Sequence, residues 1–299
     1  MNGNRERYSK ISLYVDRSVG DTINIAIDFL RQNWRTALRL SIYLLMPIAL
    51  LHSVGIFTWV RSISSDYYNS SDIGFLSTIF FQLIGLCATY ALILTLVLYY
   101  QGSVDGDLSM LTFRYVKGVI WSNFKRVLLC MLIILFFMAL LTGVCVVLFF
   151  IPLGAPAAIL IYVIMFFIMM MIPIYYVLED VSLGQAIGRS FSHAQNSWGR
   201  LFGLMFALMM VVGIILSATS LPMTVFIFTS DSLLPSGELG TTADTIFDII
   251  IYAFIVIETF FAYLCMALVV TVLVFHYGRV SSSHDDLALG SDIDNFANL

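Results

Sequence analysis

The chain alternates between long apolar runs and short polar segments. Six runs are long enough to span a bilayer, whose core of ~30 Å takes about 20 residues of helix. They cover roughly 38–60, 73–100, 127–151, 156–178, 201–229 and 249–275. The third and fourth are separated only by the Pro/Gly segment PLGAP (152–156), which predicts a tight antiparallel hairpin. An even number of spans places both flanking segments on one side of the membrane.

The polar segments before the first, third and fifth runs also carry a pattern. In the first, Ile23, Ala26, Ile27, Leu30 and Trp34 recur at spacings of three and four, while Asn24, Asp28, Arg31 and Arg35 fall largely off that stripe. In the third, Leu183, Ala186, Ile187, Phe191, Ala194 and Trp198 form the stripe, against Gln185, Arg189 and Gln195. The second is less regular, with Met110, Phe113, Val116, Ile120 and Phe124 against Arg114, Lys117 and Lys125. Asp21 and Ser182 are candidate caps for the first and third. Each segment ends on an Asn, an aromatic and a basic residue: Asn33, Trp34, Arg35; Asn123, Phe124, Arg126; Asn196, Trp198, Arg200. Such segments predict amphipathic helices lying in the membrane interface, with the aromatic at headgroup depth and the Asn at the turn into the span. The expectation is an all-α integral membrane protein of six transmembrane helices. They form three hairpins, each preceded by an interface helix, in a parallel pseudo-repeat of about 21–100, 105–178 and 182–278. A polar segment (1–20) precedes this membrane domain (21–280), and a short acidic tail (281–299) follows it.

Composition agrees. Of 299 residues, 60% are hydrophobic and 11% charged, against roughly 25% charged in a soluble domain. Fourteen of the fifteen Lys and Arg flank the even-numbered junctions and the two ends, and only Arg61 lies on the other side. The positive-inside rule therefore predicts cytoplasmic N- and C-terminal segments. There is no basic surface of the kind that binds nucleic acid. Cys87, Cys130, Cys145 and Cys265 sit inside apolar runs without a CxxC pair, as packing residues do. No His/Cys/Asp spacing suggests a metal, and no cofactor is expected. A secretory leader is not expected either, since the first apolar run is too long and lacks a small-residue cleavage site.

The stretch IPIYYVLEDVSLGQAIGRSFSHAQNSWGRLFGL (172–204) resembles the integral membrane domain found in some bacterial glycerophosphoryl diester phosphodiesterases and in stand-alone bacterial membrane proteins. The resemblance is carried by Pro173, the aliphatic run into Glu179, then Ala186, Ser190, Trp198 and Arg200. The N-terminal stretch that ends at Pro47 has the same look. It implies a bacterial inner membrane location and a fixed architectural contact at Pro173, Glu179 and Ser190. In that family the hydrolytic activity belongs to a separate soluble barrel, for which this chain has no stretch, so no enzyme is expected. The tail, with four Asp and no Lys or Arg, departs from the basic ending of many relatives.

Glu258 is the one formal charge well inside a run. Nine residues from Ile249 puts it about 13 Å deep, near the midplane. An ionisable group there suggests a proton relay, a cation site or a polar contact, against a protonated carboxyl bonded to a neighbouring helix. His52, in the outer half of the first span, reads as a helix–helix hydrogen bond, with a ligand role as the sharper alternative. Two functions follow. The first is a non-enzymatic membrane module that organises lipid, through anionic headgroups, or partner proteins at the cytoplasmic leaflet. The second is a transporter of a lipid-like or small amphipathic molecule, with Glu258 and His52 as its intramembrane polar site. A membrane-protein partner or a second copy of the chain is left open.

Overall fold

Ser18 starts the first helix. Its Oγ accepts the Asp21 N–H at 3.1 Å and donates to the Asp21 carboxylate at 2.6 Å, so the cap is Ser18, with Asp21 inside the first turn. Helix α1 then runs Val19–Gln32 and stops at Asn33, whose side chain donates back to the Phe29 carbonyl at 3.0 Å. The following elements are α2 (Trp34–Ser64), α3 (Tyr68–Gly102), α4 (Phe113–Phe149), α5 (Gly154–Met170), α6 (Ile172–Leu178), α7 (Leu183–Leu233) and α8 (Thr241–Ala297). This computed structural model describes the backbone of 10–151, 154–233 and 241–297 except 65–67, and the side chains of 10–62, 72–151, 154–195, 197–226 and 245–282.

Six stretches are long and apolar enough to cross a membrane: Trp34–Ser62, Asp72–Gly102, Phe113–Phe149, Gly154–Leu178, Ser197–Phe226 and Thr245–Ser282. The chain is thus an all-helical, multi-pass membrane protein. Only one of the three predicted interface helices is a separate element. The second and third are continuous with their spans, as the first parts of α4 and α7. At Asn33, where α1 ends, the side-chain amide and the residue's own N–H share the Phe29 carbonyl. The Asn123 amide donates instead at 2.9 Å to Thr95 Oγ1 of α3, and α4 runs through it unbroken. Asn123 is therefore a buried interhelical link, not the expected turn.

The contacts divide the chain into two compact units. The first comprises residues up to Leu38, Tyr90–Phe206 and Leu268 onward; the second comprises Arg39–Thr89 and Ala207–Ala267. In the first, residues 10–17 form a non-helical strap. Lys10 Nζ donates to the carbonyls of Gln101 and Ser103 at 2.7 and 2.6 Å, satisfying orphan carbonyls at the end of α3. Leu13 lies on Gly278, where a Cβ would meet the Leu13 carbonyl at 2.5 Å. Phe29 of α1 packs edge-on against Tyr100 and Phe275.

The second unit is built on close helix approach. A Cβ at Gly74 would sit 2.7 Å from the Trp59 backbone, and one at Gly55 would sit 2.6 Å from Ser77, so α2 and α3 run antiparallel in contact. The α2–α8 contacts are antiparallel too. Arg61 pairs with Asp248, Phe57 meets Tyr252, Ser53 meets Thr259 and His52 meets Tyr263. The pair with Asp248 neutralises the one basic residue that breaks the charge asymmetry. Asp66, Asp231, Glu238 and Asp244 lie outside the described side chains.

Candidate functional site

Pro173 organises the first unit. It has no N–H to give the Met169 carbonyl, and the fourth span breaks into α5 and α6 around Met171. The Ile174 N–H goes to Met171 instead of Met170. Two carbonyls at the break take side-chain donors: Ser190 Oγ donates to Ile168 at 2.7 Å and Tyr90 Oη to Met170 at 3.1 Å, both buried. A proline in a span is tolerated when neighbouring helices satisfy the freed groups in this way.

One helical segment further on, α6 ends at Leu178 and Glu179 and Asp180 turn the chain towards α7. Asp180 adopts the left-handed region, φ 51°, which Asp reaches more easily than most side chains. The two carboxylates gather three elements. Glu179 pairs with Arg189 of α7 and accepts the Tyr277 hydroxyl of α8 at 3.1 Å. Asp180 accepts from Arg126 of α4 at 2.6 Å, and Arg126 also donates to the Tyr176 carbonyl at 2.7 Å and lies over the Tyr176 ring. His193 Nδ1 lies 2.7 Å from the Tyr175 hydroxyl, and the Tyr175 ring stands edge-on to Tyr277. Pro173, Ser190 and Glu179 thus belong to one continuous set of contacts. The tyrosines and Arg126 complete it; nothing in the sequence pattern marks them as its members.

The span-foot residues also lie in the first unit. Trp34 and Trp198 are half-exposed, at 53% and 52%, and Trp121 is 58% exposed. Arg35 lies over the Trp34 ring and Lys125 over the Trp121 ring, each 5.5 Å from the centroid, and Phe124 stacks on Trp121. The exposed aromatic of the second foot is Trp121, not Phe124, which is half-buried beneath it. Arg200 is exposed. The Asn196 side chain lies outside the described residues. On α1 the buried face is Thr22, Ala26 and Phe29; of the predicted stripe, Ala26 is buried, Ile23 and Leu30 are half-buried, and Ile27 and, at the start of α2, Trp34 are exposed.

Beside α1 opens a cleft of about 510 Å³ lined by Asp16, Arg17, Ser18, Asp21, Asn24, Ile25, Asp28 and Arg279. Arg279, almost fully buried, donates from Nε to Asp16 at 2.6 Å. That bond holds the Asp16 carboxyl below the usual carboxylate range, against the opposing pull of desolvation and with help from the Arg279 and Arg200 charges.

In the second unit, His52 Nδ1 lies 2.9 Å from the Tyr263 hydroxyl, which also reaches the Phe81 carbonyl at 3.3 Å. Tyr263 is laid across Gly85, where a Cβ would fall 2.2 Å from its ring. His52 Nε2 is buried without a partner among the described residues. Glu258 is elsewhere on α8. It shares a helix face with Ile251 and Ile255, both buried, and not with the exposed Ile246, Ile249 and Ile257. It is half-buried and bonds to no described residue. Of the two residues expected to form one polar site, His52 is engaged through Nδ1 by Tyr263, and Glu258 lies one position before Thr259, which meets Ser53. Among the described residues no three His, Cys, Asp or Glu side chains are placed to hold a metal ion.

No protein-family model matches the chain, and no curated protein or solved structure matches it either.

Proposed function

We propose that the protein is a non-enzymatic module of the bacterial inner membrane that organises anionic lipid at the cytoplasmic leaflet, with both terminal segments cytoplasmic. The observation that carries this reading is the set of exposed tryptophans at three span feet, two of them under a cation. A half-exposed indole beneath a guanidinium or ammonium suits headgroup depth, where the ring is partly desolvated and the charge meets lipid phosphate. The three feet at equivalent places support a parallel repeat of interface segment and hairpin, and the charge asymmetry supports the orientation. The test is reconstitution in nanodiscs of phosphatidylcholine and phosphatidylglycerol, with native mass spectrometry of the lipid that stays bound. Phosphatidylglycerol should be enriched on the wild type and less so on a W34A/W121A/W198A variant. Retention that ignores headgroup charge would refute the module.

A second reading, transport of a small amphipathic molecule, draws on Glu258. Its carboxyl is on an inward face, partly accessible, and lacks a bonded partner among the described residues. Liposome flux that is abolished by Glu258→Gln would favour it over the module.

A further inference from the structure

We propose that the first part of α4 is a docking surface for an acidic helical segment of a soluble protein, held above the lipid headgroups and read by Arg114 and Lys117. Helix α4 contains no Asp or Glu. At about 100° per residue, Lys117, Trp121, Arg114 and Lys125 fall within about 80° of its circumference. All four are exposed, and a Cβ added at Gly118 beside them would meet nothing within 4 Å. Among the described residues none of these three cations pairs with a carboxylate, and Lys125 lies over the Trp121 ring. Arg126, which does pair with Asp180, lies about 100° round the helix from Lys125 and is not one of the set.

The opposite face holds the stripe rigid. Val116, Ile120 and Asn123 are buried there, and Asn123 donates to Thr95 of α3. Tyr115, between the two faces, lies 5.8 Å from the Tyr99 ring.

Height above the bilayer selects the occupant. Lys117 and Arg114 precede Val127, where the apolar run starts, by ten and thirteen residues. That is about 15 and 20 Å of upright helix, and still about 11 and 15 Å at a tilt of about 40°, the top of the usual range. The headgroup layer is only about 5–8 Å thick on each side. Sliding α4 inward would take Arg126 and Lys125 into hydrocarbon. Trp121 and Lys125 therefore stay near the headgroups, while Lys117 and Arg114 stand in water beyond them. This is a consequence of α4 being one continuous helix; a separate interface helix would lay all three cations on the lipid.

The stripe recurs at spacings of three and four, which matches carboxylates repeated at the same spacing along a partner helix. Nucleic acid is a poorer match, since tight binding takes about 6–10 phosphate contacts and the stripe supplies three cations. One helix wide and about 18 Å long, the surface makes a transient, salt-sensitive complex.

The experiment uses the full chain in nanodiscs of phosphatidylcholine, which carry no anionic lipid, so failure of the lipid module leaves it unaffected. The probe is a fluorescein-labelled Ala/Glu helical peptide with Glu at spacings of three and four, followed by anisotropy at low salt. Wild-type protein should bind it, and Arg114→Glu/Lys117→Glu should weaken binding about tenfold or more. Arg31→Glu/Arg35→Glu, which reverses two exposed cations elsewhere, is the control and should bind as wild type. Melting temperature reports whether each variant is folded. Spin labels at Lys117→Cys and Lys125→Cys, relaxed by a lipid-bound nickel chelate, measure height; the label at 117 should lie farther from the lipid. A folded Arg114→Glu/Lys117→Glu variant that binds the peptide as wild type does would refute the surface. Equal relaxation at 117 and 125 would show the helix lying on the headgroups and overturn the soluble partner while leaving the lipid module standing. An oligonucleotide that displaces the peptide with the same dependence on Arg114 and Lys117 would also overturn the protein partner.

Discussion

Replacing Tyr90 with Phe tests whether the Pro173 break is held open by its side-chain donors. The substitution removes one hydroxyl, opens no cavity and leaves the ring in place. Its partner, the Met170 carbonyl, loses the Ile174 N–H to Met171 and cannot draw on Pro173, so the Tyr90 bond at 3.1 Å is its replacement. An unsatisfied buried carbonyl costs about 1–3 kcal/mol. Ser190→Ala is the graded comparison. The Ile168 carbonyl keeps the Met171 N–H at 3.1 Å when the Ser190 hydroxyl is gone. Its loss should therefore resemble an ordinary interhelical hydrogen bond in a membrane, about 0.6 kcal/mol and at most ~1.7. Pro173→Ala supplies the missing N–H and lets the helix close past the break. In that background Tyr90→Phe should cost much less, and the double-mutant cycle should show coupling of about 1 kcal/mol or more. The assay is reversible unfolding in detergent or steric trapping in bicelles. Equal costs for the two single variants, or a cycle that closes without coupling, would refute the reasoning.

Two further expectations follow. Gly85→Ala drives a Cβ into the Tyr263 ring and should cost about 1–3 kcal/mol, with loss of the His52 contact; Gly213→Ala, with nothing within 4 Å, should leave the melting temperature unchanged. Asp16 is held low by Arg279, so its contribution is present above the ordinary carboxylate pKa and is lost as pH falls through the depressed folded value. Asp16→Asn should therefore lower stability slightly at neutral pH and make the acid limb of a pH–melting curve shallower. The effect is small, because the Asp16 side chain is 72% exposed. An acid limb that is unchanged in Asp16→Asn would count against the pairing.

The six spans were legible because length and apolarity alone decide them, and the bilayer enforces both. What the sequence did not disclose is non-local. Asn33 and Asn123 occupy the same place in two similar segments, yet one turns onto its own helix and the other reaches Thr95. The difference lies in whether a hydroxyl on another helix is within reach, which no local pattern states. Tyr90, Tyr175 and Tyr277 read as generic aromatics until the Met170 carbonyl, the His193 imidazole and the Glu179 carboxylate give their hydroxyls partners. Glu258 and His52 read as a pair because both are rare in apolar runs. The partner the structure gives His52 is Tyr263, a common residue that no local pattern singles out.

The strap of residues 10–17 also fixes an order of events. Lys10 waits for α3 to end at residues 101 and 103, and Asp16 waits for Arg279, 263 positions later. During synthesis the Lys10 end of the strap can dock once α3 has ended, whereas the Leu13 and Asp16 end docks only when α8 is in place. Protection of the Leu13–Asp16 stretch from protease is then a readout of completed assembly, and a chain stalled before α8 would show that end open while its earlier helices are already inserted.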